Sequence, residues 1–260
     1  MSNIQEIQRN ISPPSTRNKN VFRPSEFIRP SKTEHQGTFP HLIMSPIHYE
    51  PGYSYPLIVW LHGAGRDENQ LFQVMPYISN QNYVAVAPRG LMRKESENEP
   101  TVPTLIKNDI FSLYNWQESP DAITEIENRI FDSIERVTEQ YHIARHRIFI
   151  AGADVGGTMA LRIGTRFPHS FAGAISLGGA FPSTEMPLRN WQSLRSFPMF
   201  LIVGSKSKIY SSFSIANHLR QFHTAGLSVS IHQYNAEEEL TPKMFRDVNG
   251  WIMNQINSSK

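Results

Sequence analysis

The chain is predicted to be of the α/β class, with a mostly parallel sheet carrying helices on both faces. Short runs rich in β-branched and aromatic residues alternate along it with segments of helical periodicity. One of these runs, Tyr55-Pro56-Leu57-Ile58-Val59-Trp60-Leu61, is apolar without alternation, as expected of a strand covered on both faces. In a third feature, Arg147-Ile148-Phe149-Ile150-Ala151 breaks at Gly152 and passes through one tight turn into a helix-forming run that opens on glycines. A length of 260 residues suits one domain of this kind plus a tail.

Taken in order, residues 1–34 are polar, with Pro13-Pro14 and an excess of basic side chains such as Arg9, Arg17 and Lys32. Such a stretch has too little apolar area to offset its ordering entropy, so it is expected to be a flexible tail, with a binding arm as the alternative. The domain is then assigned to 35–260. Strands are expected at 41–49, near a sheet edge because of Pro46; at 55–61, centrally; and at 83–88. The segment 89–120 is charged, punctuated by proline and too long for an ordinary connection, which marks it as the wall or lid of a pocket. Trp116 within it either lines that pocket or caps the core. Ile123, Ile126, Ile130, Ile134, Val137 and Tyr141 then share one helical face, and Asp121 sits where a helix start favours negative charge. Further strands are expected at 147–152, 171–177, 198–203 and 228–234, with helical patterns on Ile215, Leu219 and Phe222 and on Phe245, Val248, Ile252 and Ile256.

Composition narrows the function. The formal charge of +2 is nearly balanced and no basic block interleaves with aromatics, so nucleic acid is not expected as a partner. Without cysteine there are no disulfides, zinc–thiolate sites or thiol nucleophiles. No signal-peptide core or membrane-length apolar run occurs, and a cytoplasmic protein without a membrane span is expected. No cofactor and no metal centre are expected, since no ligand-spaced His/Asp/Glu cluster appears.

The strand–turn–helix at 147–161 has the frame of a nucleophile elbow, G-x-S-x-G, in which glycines leave room for a strained backbone. Here it is Gly152-x-Asp154-x-Gly156, with aspartate at the centre. Upstream, the 55–61 strand ends in His62-Gly63-Ala64-Gly65, a turn whose backbone amides can face an anion. Ala64 and Val155 are the expected oxyanion-hole donors, and His62, Gly63 and Trp116 the expected pocket residues. His62 on its own is more often a structural histidine than a base.

These pieces resemble the carboxylesterase, lysophospholipase and acyl-protein thioesterase family of α/β-hydrolases. The resemblance rests on Leu61-His62-Gly63-Ala64-Gly65, Arg147-Ile148-Phe149-Ile150-Ala151-Gly152, Gly156-Gly157, Phe200-Leu201-Ile202-Val203-Gly204 and Tyr234, in that order, and spans about Phe39 to the C-terminal helix. It implies an α/β-hydrolase fold with a Ser-His-Asp triad. Counted along the same loops, the triad positions fall on Asp154 for serine, Ser207 for aspartate and Glu238 for histidine. A shifted loop would use Ser205 or Lys206, and Glu237 or Glu239, but no shift supplies a histidine, since none follows Asn235. His218, His223 and His232 are expected to be packing or surface residues.

A serine esterase needs an attacking hydroxyl, a base and a carboxylate that orients the base. An aspartate at the elbow is instead an anion beside amides and a helix N-terminus, where it would fill the oxyanion hole or repel a substrate oxyanion. The chain is therefore expected to be a pseudo-hydrolase, binding or regulatory, whose pocket takes a small acyl or aromatic ligand. The alternative is an active hydrolase with Asp154 as nucleophile on an ester, epoxide or haloalkane, as in the resembling epoxide hydrolases and haloalkane dehalogenases. That route needs a base to activate water, for which Glu238 is the candidate. A metal held between Asp154 and Glu238 is a third, less supported reading.

Overall fold

The structure, a computed structural model, describes residues 8–11, 39–92, 114–182, 191–237 and 239–258. Its strands are β1 (Gln8–Ile11), β2 (His41–Met44), β3 (Tyr55–Leu61), β4 (Val84–Pro88), β5 (Leu91–Met92), β6 (Tyr114–Asn115), β7 (Ile143–Ala153), β8 (Gly173–Leu177), β9 (Met199–Gly204) and β10 (Val229–Tyr234). The helices are α1 (Gln70–Ile78), α2 (Pro120–Gln140), α3 (Val155–Arg166), α4 (Trp191–Ser196), α5 (Ser212–Ala225) and α6 (Pro242–Ser258). An eight-stranded sheet runs in the order β1-β10-β9-β8-β7-β3-β4-β2. From β10 to β4 every neighbouring pair is parallel, and β1 and β2 close the two edges antiparallel. This is the mostly parallel sheet with helices on both faces that the alternation of patterns predicts.

The unbroken apolar run of β3 lies between β7 and β4 with all seven residues buried. Its side chains alternate in allegiance, as the two-residue period of a strand requires. Leu57, Val59 and Leu61 face a core built with α2, α3 and α5, whereas Ile58 and Trp60 face a second core built with α1 and α6. The α2 helix starts where its sequence directs: Ser119 has extended backbone, Pro120 occupies the first turn without needing its missing N–H, and Asp121 follows. Its Ile126, Ile130 and Ile134 are fully buried, each contributing roughly 1.5–3 kcal/mol by burial. The α5 helix is capped at both ends, by the Ser211 hydroxyl accepting from the Ser214 N–H and by Gly226 at φ +67°.

The 41–49 segment contributes only β2, at an edge, and leaves the sheet before Pro46. The β7 strand begins several residues earlier than the apolar run at 147–152 indicates, because His142 and Ile143 pair with the start of β3. Within the 1–34 stretch, Gln8–Ile11 pairs with β10, and the rest of that stretch lies outside the described residues. The centre of the 89–120 segment, 93–113, also lies outside them; its ends meet as the two-stranded β5–β6 ribbon. Among the described residues, no helix is long and apolar enough to cross a membrane.

The β7–α3 elbow is packed to backbone contact. A Cβ on Gly156 would sit 2.3 Å from the carbonyl oxygens of Leu61 and His62, and one on Gly152 would sit 2.4 Å from Gly156 itself. Backbone cannot yield as a flexible side chain does. Gly156→Ala is expected to lower the unfolding free energy by about 3 kcal/mol or more, read from urea denaturation. Gly250→Ala, on an open face of α6 with nothing within 4 Å of its added methyl, should instead raise it by roughly 0.5–1 kcal/mol.

Candidate functional site

Asp154 stands between the end of β7 and the first residue of α3, with φ +50° and ψ −123°. It is the one non-glycine residue at positive φ among the described residues. A conformation of this kind costs of order 1–3 kcal/mol and persists only where its surroundings impose it. Here the Asp154 N–H donates to the Leu177 carbonyl at 2.8 Å, and the Asp154 carbonyl accepts from the Thr158 N–H at 3.1 Å. The Thr158 hydroxyl in turn donates to the Ala180 carbonyl at 2.9 Å, tying α3 to the loop after β8. The elbow is thus held from both sides and lifts the carboxylate above the C-terminal ends of the strands, where open α/β sheets place their ligands.

The turn after β3 faces it. The Ala64 N–H donates to Asp154 Oδ2 at 3.3 Å. Val155, the other expected donor, starts α3 directly after Asp154, and the Asp154 side chain makes no capping hydrogen bond to that helix. Gln70, the first residue of α1, holds the turn from below: its Oε1 accepts from the Gly63 N–H at 3.0 Å and from the Trp60 indole at 3.1 Å. Gln70 escaped the sequence reading. The available signal was a polar residue in helical register with Val74 and Ile78, both buried on α1.

Gly63, Ala64, Ala153 and Asp154 line a cleft of about 470 Å³, together with Gln70, Gln73 and Arg66 on one side and Val74, Leu177, Gly178, Ile209, Glu239, Leu240 and Phe245 around the rest. His62 and Trp116, expected as pocket residues, are not among the residues lining this cleft, and the physical reason is that both are consumed by the core. His62 is fully buried. Its Nδ1–H donates to the Gly63 carbonyl at 2.9 Å, and its Nε2 accepts from the Gly90 N–H at 3.0 Å. Trp116, 4% exposed, donates its indole N–H to the His62 carbonyl at 2.8 Å and packs its ring on the imidazole with centroids 4.9 Å apart. Both nitrogens of His62 are therefore engaged in holding the turn, and Trp116 takes the core-capping role.

Ser207 lies in the loop after β9, where its N–H donates to the Gly204 carbonyl at 3.3 Å and its hydroxyl accepts from the Tyr210 N–H at 3.1 Å. It makes no hydrogen bond to Asp154, nor do Ser205 and Lys206, which are exposed on the same loop. Glu238 lies outside the described residues, while its neighbour Glu239 reaches the cleft. No imidazole hydrogen bonds to Asp154 among the described residues. His218 pairs with the Tyr210 hydroxyl at 2.7 Å and stacks on Phe222, His232 packs edge-on against Phe200, and His223 lies in the last turn of α5. Among the described residues no group of three or more His, Asp or Glu is arranged to hold a metal.

Glu68 and Arg89 form a bidentate ion pair that joins the turn after β3 to the end of β4, with the guanidinium 4.8 Å from the Tyr114 ring centroid. The pair raises the Arg89 pKa further, chiefly through its hydrogen bond. His62 is lowered from 6.5, first by burial and also by Arg89, against the opposing pull of the Gly63 carbonyl, Asp67 and Glu68. Burial lowers His218 as well, beside Tyr210, Phe181 and Phe222.

Residues 49–256 match the model of a family described as phospholipase/carboxylesterase. Among solved structures, the chain is similar to the Bacillus cereus carboxylesterase, with a TM-score of 0.63 and 16% identity over 85% of this chain and 96% of that one. It is also similar to a carboxylesterase from Mesorhizobium loti, with a TM-score of 0.59 and 16% identity over 77% and 90%. For the Zea mays acyl-protein thioesterase 2 the TM-score is 0.57, with 18% identity over 84% and 100%. The comparison with curated proteins returned no match. At these identities the structural likeness speaks for the fold.

Because both histidines stay neutral in the fold below the pH at which the unfolded chain protonates them, acid favours the unfolded state. Stability present above about pH 6.5 is lost as the pH falls through that value toward the folded-state pKa values. Replacing one ring removes its share. The advantage in unfolding free energy of the parent protein over His218→Gln should shrink steadily as urea titrations are moved from about pH 7.5 to about pH 5.5. An advantage that grows over that range would contradict the burial argument.

Proposed function

The chain belongs to the phospholipase/carboxylesterase family, and from the chemistry of its elbow we propose that it is a member without serine-esterase turnover, a pseudo-hydrolase that holds a small acyl or aromatic ligand in the cleft over Asp154. The contact between the Ala64 N–H and Asp154 Oδ2 at 3.3 Å carries this reading. In an acyl-transfer site such an amide must be free for the oxygen that becomes negative in the transition state. Here an anion already bound to the chain engages it. A substrate carbonyl entering the cleft would have to displace that carboxylate and then develop negative charge next to it, which raises the barrier that the site is meant to lower.

A second consideration supports the same reading. Serine chemistry needs a base within hydrogen-bond reach of the nucleophile, and so does hydrolysis of an aspartyl ester. Three of the histidines are committed elsewhere, His62 to Gly63 and Gly90, His169 to Ser193, and His218 to Tyr210, and among the described residues none hydrogen bonds to Asp154. The reading with Asp154 as a working nucleophile keeps one observation in its favour, the strained positive-φ backbone that presents the carboxylate.

Incubation with activated aryl esters, epoxides and haloalkanes separates the two. The parent protein and Asp154→Ala should show the same background rate on all three classes. Turnover that disappears with Asp154→Ala would establish the nucleophile and end the pseudo-hydrolase reading.

A further inference from the structure

We propose that the cleft over Asp154 selects organic cations, specifically protonated primary amines with an apolar body, in place of the esters that a serine site would take. The inference rests on the pseudo-hydrolase reading and narrows its ligand, from acyl or aromatic, to a cation with an aromatic or other apolar body. Asp154 Oδ2 accepts from Ala64, but Oδ1 receives no hydrogen bond from any described residue, although the side chain is partly buried. A carboxylate oxygen in the cleft without a protein donor is open to a ligand, and an N–H cation placed there gains a charge-assisted hydrogen bond. A neutral carbonyl or a carboxylate placed there has no proton to give and meets repulsion.

The remainder of the cleft matches an amine with an apolar body. Val74, Leu177 and Phe245 supply apolar lining, and about 470 Å³ is within the range of small-ligand pockets. Glu239 adds a second carboxylate at an exposed position, against one exposed cation, Arg66. Neither acid is paired with Arg66 among the described residues, so both are available to an incoming cation. The charge at the elbow has therefore been inverted in purpose: a frame that suits an oxygen anion now presents one.

Three probes of one shape test this by isothermal titration calorimetry on the full chain: phenethylammonium, phenethyl alcohol and hydrocinnamate. Phenethylammonium should bind at least about tenfold more tightly than the alcohol, and hydrocinnamate should bind more weakly than either. Asp154→Asn, which tolerates positive φ and keeps an acceptor for Ala64, should erase the preference for the cation, and Glu239→Gln should reduce it about two- to threefold. Absence of phenethylammonium binding, equal affinity for cation and alcohol, or a preference that survives Asp154→Asn would each overturn the inference. Those outcomes leave the proposed function standing if no ester, epoxide or haloalkane is turned over; turnover dependent on Asp154 overturns the proposed function itself.

Discussion

The backbone contact between the elbow and the strand beside it governs the rest of the site. Gly156 lies against the carbonyls of Leu61 and His62 so closely that no side chain can intervene. That contact draws the start of α3 onto the end of β3, and with it the Ala64 turn onto residue 154. The positive φ of Asp154 follows, because the chain must reverse from strand to helix within one residue. Hydrogen bonds from Asp154 to Leu177 and from Thr158 to Asp154 then lock the reversal. The geometry at residue 154 is consequently set by backbone and by glycine rather than by the side chain that 154 carries, provided that this residue tolerates positive φ. Aspartate is among the residues that do.

The surrounding scaffold is built with the same economy of purpose. Gln70 fixes Gly63 and Trp60, His62 fixes Gly63 and Gly90, Trp116 closes over His62, and the Glu68–Arg89 pair ties the turn to β4. These bonds hold the residues on either side of Gly63, the turn from which the Ala64 amide faces Asp154. Truncating Gln70, His62 or Trp116 leaves a buried backbone group unsatisfied, which is more costly than the bond itself was worth. The frame around the elbow is thus preserved by stability alone, whatever happens to the chemistry at its centre.

The fold was legible in the sequence because burial on both faces leaves a continuous apolar run, and β3, β4 and β9 each show one. The edges were harder. The β1 strand is four polar-flanked residues whose role is to pair with β10, and edge pairing is a backbone matter with little compositional trace. At the site, the glycine pattern marks the elbow and the turn after β3, since close approach demands glycine, and the Ala64–Asp154 contact joins the two. His62 and Trp116 could not be assigned correctly to the cleft, because motif position says nothing about which way a ring points. The cleft's far wall was also invisible: Ile209, Glu239 and Leu240 come from two separate loops brought together only by the order of β9 and β10 in the sheet.

A hydroxyl at residue 154 would do nothing on its own, since its nucleophilicity depends on a neighbour that removes its proton. A carboxylate needs no such neighbour to be useful, because its charge and its acceptor oxygens are present without help. Among the described residues no imidazole hydrogen bonds to Asp154, and Ala64 donates to one of the two carboxylate oxygens, which leaves the other as an acceptor in the cleft. On the pseudo-hydrolase reading we propose, recognition is the function such a site can keep without a proton-transfer partner, and the sign of its charge decides what it recognises.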